Sequence, residues 1–244
     1  MRHFDITALI DIVDWFNMMT YDLHGTWDAP NPYVGAYVNS HTNLTEINEA
    51  FNLLWRNAFP PEKVVMGLGF YGRSFTLSDP SCAHEGCTFS AGGDPGPCTG
   101  NEGTLSFAEI ENVIATDNAS VTLNEPAAVQ EVVWAGNQWV SYDDAETFRM
   151  KYAYANGKCI GGLMVWAASL DDRNGSAQRD LCAAIGCTVR VPGDADAPVS
   201  CGSTERCREW HTVIAGEFSE SFLFWGLLLL LVLLFLLSSC VVVG

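Results

Sequence analysis

The chain has 244 residues, 48% of them hydrophobic, and 12 Lys and Arg against 29 Asp and Glu give a formal net charge of -17. That length and apolar content are enough for a sizeable core. The acid excess excludes a nucleic-acid-binding surface, which needs clustered cations, and reads as a solvated exterior compatible with a neutral substrate.

Ile6 to Ile12 reads as the end of a helix, and Val13 to Tyr21 as a buried strand whose end presents Tyr21 and Asp22. Pro30, Asn31, Pro32 and Gly35 mark a loop. Thr45 is the expected N-cap of a helix running to about Ala58. Ile47, Ala50, Phe51, Leu54 and Trp55 recur there at helical spacing, and Pro60-Pro61 stops it. Val64 to Phe70 is a continuous apolar run, the pattern of a parallel strand covered on both faces. Strand, helix, strand makes a βαβ unit and therefore a parallel sheet.

From Ser74 the composition changes, and Cys, Gly and Pro crowd residues 81–100. A helix near Ser106–Ile114 and two β-rich runs around a turn within Val132–Val140 indicate an inserted α+β module. Asp143 reads as a turn and Asp144 as the N-cap of a helix to Asn156, with Gly157 as its C-cap. Ile160 to Trp166 is the last strand and Ser176 to Ile185 the last helix. Residues 189–221 form a polar, Cys-bearing linker. Phe222 to Val243 is 22 residues without a charge, long enough to cross a bilayer as a helix. Membrane insertion is the expectation; a cleaved glycolipid-anchor signal and a read-through end are the alternatives.

Eight of the nine cysteines lie outside that apolar tail, an even number that suits disulfides in an oxidising compartment, with buried free thiols as the alternative. Sequons at Asn43, Asn118 and Asn174 point the same way. Cys82-x₄-Cys87 lacks a second ligand pair, and the five histidines form no metal or triad pattern, so neither metal nor cofactor is expected. Met1 to Asp5 lead straight into an amphipathic segment with no secretory h-region. An extracellular-looking body without a leader suggests an absent N-terminal part. The body is expected to be extracellular, or extracytoplasmic on a membrane anchor.

Four segments carry a resemblance. Met19-Thr20-Tyr21-Asp22 resembles the Met-x-Tyr-Asp motif of the sixth barrel strand of family 18 glycoside hydrolases, the chitinases. Tyr71-Gly72-Arg73 resembles the end of strand seven, and Ser141-Tyr142-Asp143-Asp144 the exit from the chitinase insertion domain. Gly161 to Trp166 resembles strand eight, which ends in tryptophan. The Cys-rich insertion is similar to secreted fungal chitinases of killer-toxin-like organisation. The resemblance covers about residues 5–188. It implies an α/β fold, the C-terminal part of a (β/α)₈ TIM barrel with strands six to eight. Strands six and seven would lie in 1–73, an inserted chitinase insertion domain in 74–142, and strand eight with its flanking helices in 143–188. The linker 189–221 and a C-terminal transmembrane helix in 222–243 complete the layout. Three parallel strands alone would expose two open edges.

The same resemblance implies hydrolysis of β-1,4-linked N-acetylglucosamine polymers by the substrate-assisted retaining route, in which the sugar's own acetamido oxygen is the nucleophile. Tyr21 matches the residue that hydrogen-bonds the acetamido carbonyl, and Asp22 the carboxylate that steadies the same sugar. Trp166 matches the aromatic floor beneath it and Trp27 a wall on the leaving-group side. Tyr71 and Arg73 match the adjacent rim, and Met19 belongs to the same motif. The implied partners are chitin or its oligosaccharides, and the membrane through the tail. The family motif D-x-x-D-x-D-x-E, which carries the catalytic glutamate, is missing. Asp11 and Asp14 begin like it, but Phe16 and Met18 stand where the third Asp and the Glu belong. A truncated chitinase, inactive alone, is the first reading; a non-catalytic membrane-anchored glycan-binding protein is the second.

Overall fold

The computed structural model describes residues 5–187 and 239–242. A short helix, α1 (Ile6–Leu9), precedes strand β1 (Phe16–Met18). Helix α2 (Leu44–Trp55) follows, then β2 (Val64–Gly69). A second group of strands comes next: β3 (Tyr71–Leu77), β4 (Phe89–Gly92), β5 (Thr104–Ser106), helix α3 (Phe107–Thr116), β6 (Ser120–Asn124), β7 (Val129–Trp134) and β8 (Gln138–Tyr142). Helix α4 (Ala145–Gly157), β9 (Gly162–Trp166), α5 (Ser176–Ile185) and β10 (Ser239–Val242) complete the described chain.

The strands form two sheets. In the first, β1, β2 and β9 run parallel, with Met18 opposite Met66 and Gly69 opposite Trp166. Successive side chains alternate between the faces of a strand, and this assigns the sheet's two sides. Val64, Met66 and Leu68 of β2, with Leu163 and Val165 of β9, join the core that also holds Ile47, Phe51, Phe148 and Leu181 of the covering helices. Val65 and Met164 fall on the opposite face with Tyr21 and Tyr71. Gly67 shares that face, where only glycine fits: a Cβ would lie 2.6 Å from the Met18 carbonyl oxygen and 2.8 Å from the Tyr21 ring. The second sheet is antiparallel, in the order β4-β3-β8-β7-β6, with β5 pairing β3. It closes its own core of Phe75, Leu77, Phe89 and Trp139 with Val38. Phe70 alone separates β2 from β3, so the chain passes directly from one sheet to the other.

Several local expectations are corrected. The strand expected over Val13–Tyr21 contracts to three half-exposed residues. It pairs only with β2 among the described residues, so its outer edge has no ladder to extend it. The N-cap of α2 is Asn43, whose side chain accepts from the Thr45 N–H at 2.9 Å. Gly157 is the last helical residue of α4 rather than its cap, and Cys159 takes the left-handed conformation, with φ 55°. Asp143 does lie in the connection between β8 and α4, but its side chain is buried and paired with the fully buried Lys151. β10 lies antiparallel on the far side of β9, so β9 is covered and the edges of the sheet among the described residues are β1 and β10. Residues 222–238 of the expected membrane span lie outside the described residues, as does the linker from 189. Ser239–Val242 is a strand, not helix, as three β-branched valines in Val241–Val243 favour. Among the described residues no helix is long and apolar enough to cross a membrane.

Disulfides join Cys82 to Cys87 and Cys182 to Cys187, while Cys98 is free and exposed.

Candidate functional site

The site forms where the ends of the parallel strands meet the start of β3. After β1, the Thr20 hydroxyl donates to the Gly67 carbonyl at 2.7 Å and fastens the chain to β2. Asp22 then takes a left-handed conformation, φ 58°, which turns its carboxylate back over the sheet end. Asp22 Oδ1 accepts from the Tyr71 hydroxyl at 2.6 Å and from Arg73 Nε at 2.8 Å, with Arg73 Nη2 also 2.8 Å away. The other Arg73 nitrogen donates to Thr104 Oγ1 at 2.6 Å, so β5 fixes the guanidinium from behind. Burial works to raise the Asp22 carboxyl, but the hydrogen bonds from Arg73 and Tyr71 and the Arg73 charge outweigh it and hold it below the usual carboxylate range.

Beneath this cluster lies His41, wholly buried. Its Nδ1 accepts the Asp22 N–H at 3.3 Å and its Nε2–H donates to the Tyr71 carbonyl at 3.1 Å. One neutral tautomer satisfies both partners. Burial drives the imidazole down to about 3, so it stays neutral at physiological pH. His41 thus holds the backbone of Asp22 and that of Tyr71 together, and its ring packs 4.8 Å from the Tyr71 ring. Below it, Thr42 donates to Asp143 Oδ2 at 3.0 Å and accepts from Lys151 Nζ at 3.0 Å, and Lys151 also pairs with Asp143 Oδ1.

Tyr21 stands beside Tyr71, ring centroids 6.3 Å apart, over Val65 and Met164. Its hydroxyl hydrogen-bonds to no described residue. Burial, then the Asp22 charge, raises its pKa, so the phenol is a free, protonated donor. Trp27 sits in a 3-10 turn (Thr26–Asp28), 45% exposed, with the Arg73 guanidinium carbon 4.8 Å from its ring centroid. A Cβ on Gly25 would overlap that indole. Trp166 ends β9, 40% exposed. Its carbonyl accepts the Phe70 N–H at 2.9 Å and ties it to the root of Tyr71. Tyr21, Asp22, Tyr71, Arg73 and Trp27 are therefore linked by direct contacts or one shared neighbour. Met19 is 71% exposed and belongs to none of the apolar clusters.

A neutral ion pair, a free phenol and two partly exposed indoles suit an uncharged polyhydroxyl ligand better than an ion. Apolar ring faces of a sugar lie on indoles, while carboxylate and phenol address its polar edge. His41, Thr104, Met164 and the Asp143–Lys151 pair were missed from the sequence. His41-Thr42-Asn43 just before a helix offers only a capping signal, and the rest act through tertiary contacts with no spacing to betray them. Cys82, His84 and Cys87 bring three donor atoms within 4.8 Å of one another, but both sulfurs are in the disulfide. In that state they do not fit a metal ion, because thiolates are the metal ligands.

Residues 1–171 match the sequence model of Glycosyl hydrolases family 18. Among curated proteins, Probable chitinase 10 of Drosophila melanogaster is 33% identical over 178 residues, covering 70% of this chain and 8% of that protein. Chitotriosidase-1 of Mus musculus is 32% identical over 180 residues, covering 71% of this chain and 37% of that protein. Among solved structures, human YKL-39, described as a pseudo-chitinase with retained chitooligosaccharide binding properties, superimposes with TM-score 0.65 at 28% identity, over 75% of this chain and 52% of that one. A class V chitinase from Nicotiana tobaccum superimposes with TM-score 0.66 at 24% identity, over 74% of this chain and 51% of that one, and shares the fold. The chain spans about half the length of these solved structures and less of the curated relatives.

Proposed function

Because the chain belongs to family 18 of the glycosyl hydrolases, we propose that its Tyr21, Asp22 and Trp166 constellation binds the N-acetylglucosamine unit at a chitinase-type cleavage site. The Asp22 carboxylate, held ionised by Tyr71 and Arg73 beside a free Tyr21 phenol, carries this reading. In a substrate-assisted reaction the acetamido oxygen attacks the anomeric carbon as the glycosidic oxygen leaves. Tyr21 donates to that acetamido group and orients it. Asp22 stabilises the positive charge that spreads over the acetamido group as the new C–O bond forms. Trp166 floors the ring, Trp27 walls the leaving-group side, and Met19 flanks the entry.

The leaving oxygen also needs a proton. These 244 residues do not contain D-x-x-D-x-D-x-E, and Met18 stands at the Glu position of the nearest match. Taken by itself the chain therefore binds and positions sugar but does not cleave it, since a general acid contributes roughly 10²–10⁴-fold. The disulfides Cys82–Cys87 and Cys182–Cys187 favour an oxidising, extracytoplasmic setting. A relative at 29% identity is itself named a secreted chitinase, LysM12 of Penicillium expansum.

Titration of the chain with chitotetraose, beside a fluorogenic chitobioside assay, tests this. Binding without turnover is expected. Turnover above that of a Tyr21→Phe, Asp22→Ala variant would overturn the non-catalytic reading, and absence of binding would overturn the sugar site.

A further inference from the structure

His24 was assigned nothing by sequence, yet it stands between two carboxylates. Its Nδ1 is 2.7 Å from Asp28 Oδ2, and its Nε2 is 3.0 Å from both oxygens of Glu46. A neutral imidazole carries one N–H, so donating to both partners requires the doubly protonated ring. Its side chain is only 15% exposed, which limits solvent screening of the pair.

The two partners belong to different parts of the site. Asp28 is buried and closes the turn that carries Trp27: its N–H donates to the Gly25 carbonyl at 3.0 Å, and its Oδ2 faces the Gly25 N–H at 3.4 Å. Glu46 lies in the first turn of α2, whose Ile47 and Phe51 are fixed in the main core. His24 therefore fastens a surface turn to a rigid helix. At the other end of that turn the Trp27 indole meets the Arg73 guanidinium, which in turn holds Asp22.

We propose that His24 is a positioning residue, whose bridge from Asp28 to Glu46 fixes the Trp27 wall against Arg73 and so sets the leaving-group side of the sugar site. The effect on sugar binding rests on the reading of the site given above; the clamp itself does not. The Glu46 hydrogen bond, outweighing burial and joined by the Asp28 bond, raises the imidazole to about 9. The charged groups facing it are Asp28 from the turn and Glu46 from α2, both acidic. With a folded value above the ordinary 6.5, the clamp is complete below about 6.5 and is lost as pH rises through about 9.

Hydrogen exchange followed by NMR on the full chain tests the clamp without sugar. The amides of Asp28, Ala29 and Asn31 are hydrogen-bonded within the turn and report on it. Their protection factors, corrected for intrinsic exchange, are expected to fall about tenfold in His24→Gln at pH 7, the scale of one charge-assisted hydrogen bond. In the wild type they should fall by a similar factor with a midpoint near 9. Glu46→Gln, at a 42% exposed position that tolerates change, should shift that midpoint downward. Chitotetraose affinity should weaken about tenfold in His24→Gln, in step with the protection. Protection that is unchanged in both variants and flat from pH 7 to 10 would overturn the clamp. Intact chitotetraose affinity in His24→Gln despite lost protection would overturn its role in the site. Loss of protection in a protein that binds no chitotetraose at all would instead uphold the clamp and refute the sugar-site reading.

Discussion

Tyr71 donates its hydroxyl proton to Asp22 at 2.6 Å across a separation of 49 residues, and this bond joins the two sheets at the site. Asp22 follows the first strand of the parallel sheet, whereas Tyr71 opens the antiparallel one. Burial, then the Asp22 carboxylate, pushes the Tyr71 phenol far above its ordinary value, so the proton stays on the tyrosine and the charge on the aspartate. The bond therefore keeps one sense, donor to acceptor, over the whole physiological range.

Arg73→Ala should raise the Asp22 carboxyl toward the ordinary range, since the hydrogen bond and charge of Arg73, with the Tyr71 hydrogen bond, overcome burial there. The sign for stability follows. A carboxyl lowered by folding stabilises the protein above its unfolded pKa of about 3.9, and that contribution is lost as pH falls through the folded value. Arg73→Ala should therefore narrow the acid side of the stability profile. Carboxyl carbon NMR of Asp22 checks it directly, and an unmoved titration would show that Tyr71 alone suffices.

Lys151→Met should cost about 3–5 kcal/mol, because it leaves the buried Asp143 carboxyl without its cationic partner. Both partners are buried and share Thr42 as a third member. Replacing Asp143 and Lys151 together by apolar residues of similar volume should recover most of that loss. Urea midpoints for Lys151→Met, for a matching apolar replacement of Asp143 alone and for the double variant read this out. Equal losses in all three would mean that packing, not charge, dominates the pair.

What could be read along the chain was what depends on local pattern. The α5 helix runs from Ser176 to Ile185 as its residues predicted, and Val64–Gly69 is the buried strand its apolar run implied. The β7–β8 hairpin announces itself by β-rich runs around Ala135-Gly136-Asn137. Strands β4, β5 and β6 gave no such signal. Ser120–Asn124 is a strand because Val129–Val133 lies opposite it, not because of its own mostly exposed residues. In the candidate site, the proposed aromatic and acidic residues are those the motifs named. Their fixing could not, because His41 acts from the loop before α2 and Thr104 from a strand three residues long. Lys151 shows the same limit. One lysine in a helix reads as solvated until the fold places Asp143 against it.

Gly67→Ala should destabilise the protein by about 1–3 kcal/mol, the usual cost of overpacking. The new methyl would meet the Met18 carbonyl oxygen at 2.6 Å, the Tyr21 ring at 2.8 Å and the Met164 methyl at 2.9 Å. Met164 can yield, but the backbone carbonyl cannot without moving β1. Gly157→Ala is the matched control. Nothing lies within 4 Å of a Cβ there, and the position is helical. It should gain about 0.4–1 kcal/mol, chiefly because alanine has less conformational freedom to lose on folding. Thermal unfolding of the two variants should shift in opposite directions; a neutral Gly67→Ala would show that β1 is free to move outward.

Tyr21→Phe and Trp166→Ala separate the polar and apolar halves of the proposed sugar contact. The Tyr21 phenol has no partner among the described residues, so its removal leaves no protein group unsatisfied. It should cost only the bond to the ligand, about 0.5–1.5 kcal/mol, or roughly two- to tenfold in affinity for chitotetraose. Trp166 is 40% exposed at the end of β9, so its truncation removes a contact surface without opening the core. Burying one face of an indole is worth more than one neutral hydrogen bond, and the loss should exceed about tenfold. Thermal midpoints should stay close to wild type in both, because neither side chain supports the main core. Calorimetric titration of an N-acetylated tetramer and its deacetylated counterpart adds the decisive contrast. If Tyr21 reads the acetamido group, Tyr21→Phe should weaken the acetylated ligand and leave the deacetylated one unchanged. Equal weakening of both would move Tyr21 from acetamido recognition to a general polar contact, and Trp166 would then carry the selectivity for sugar alone.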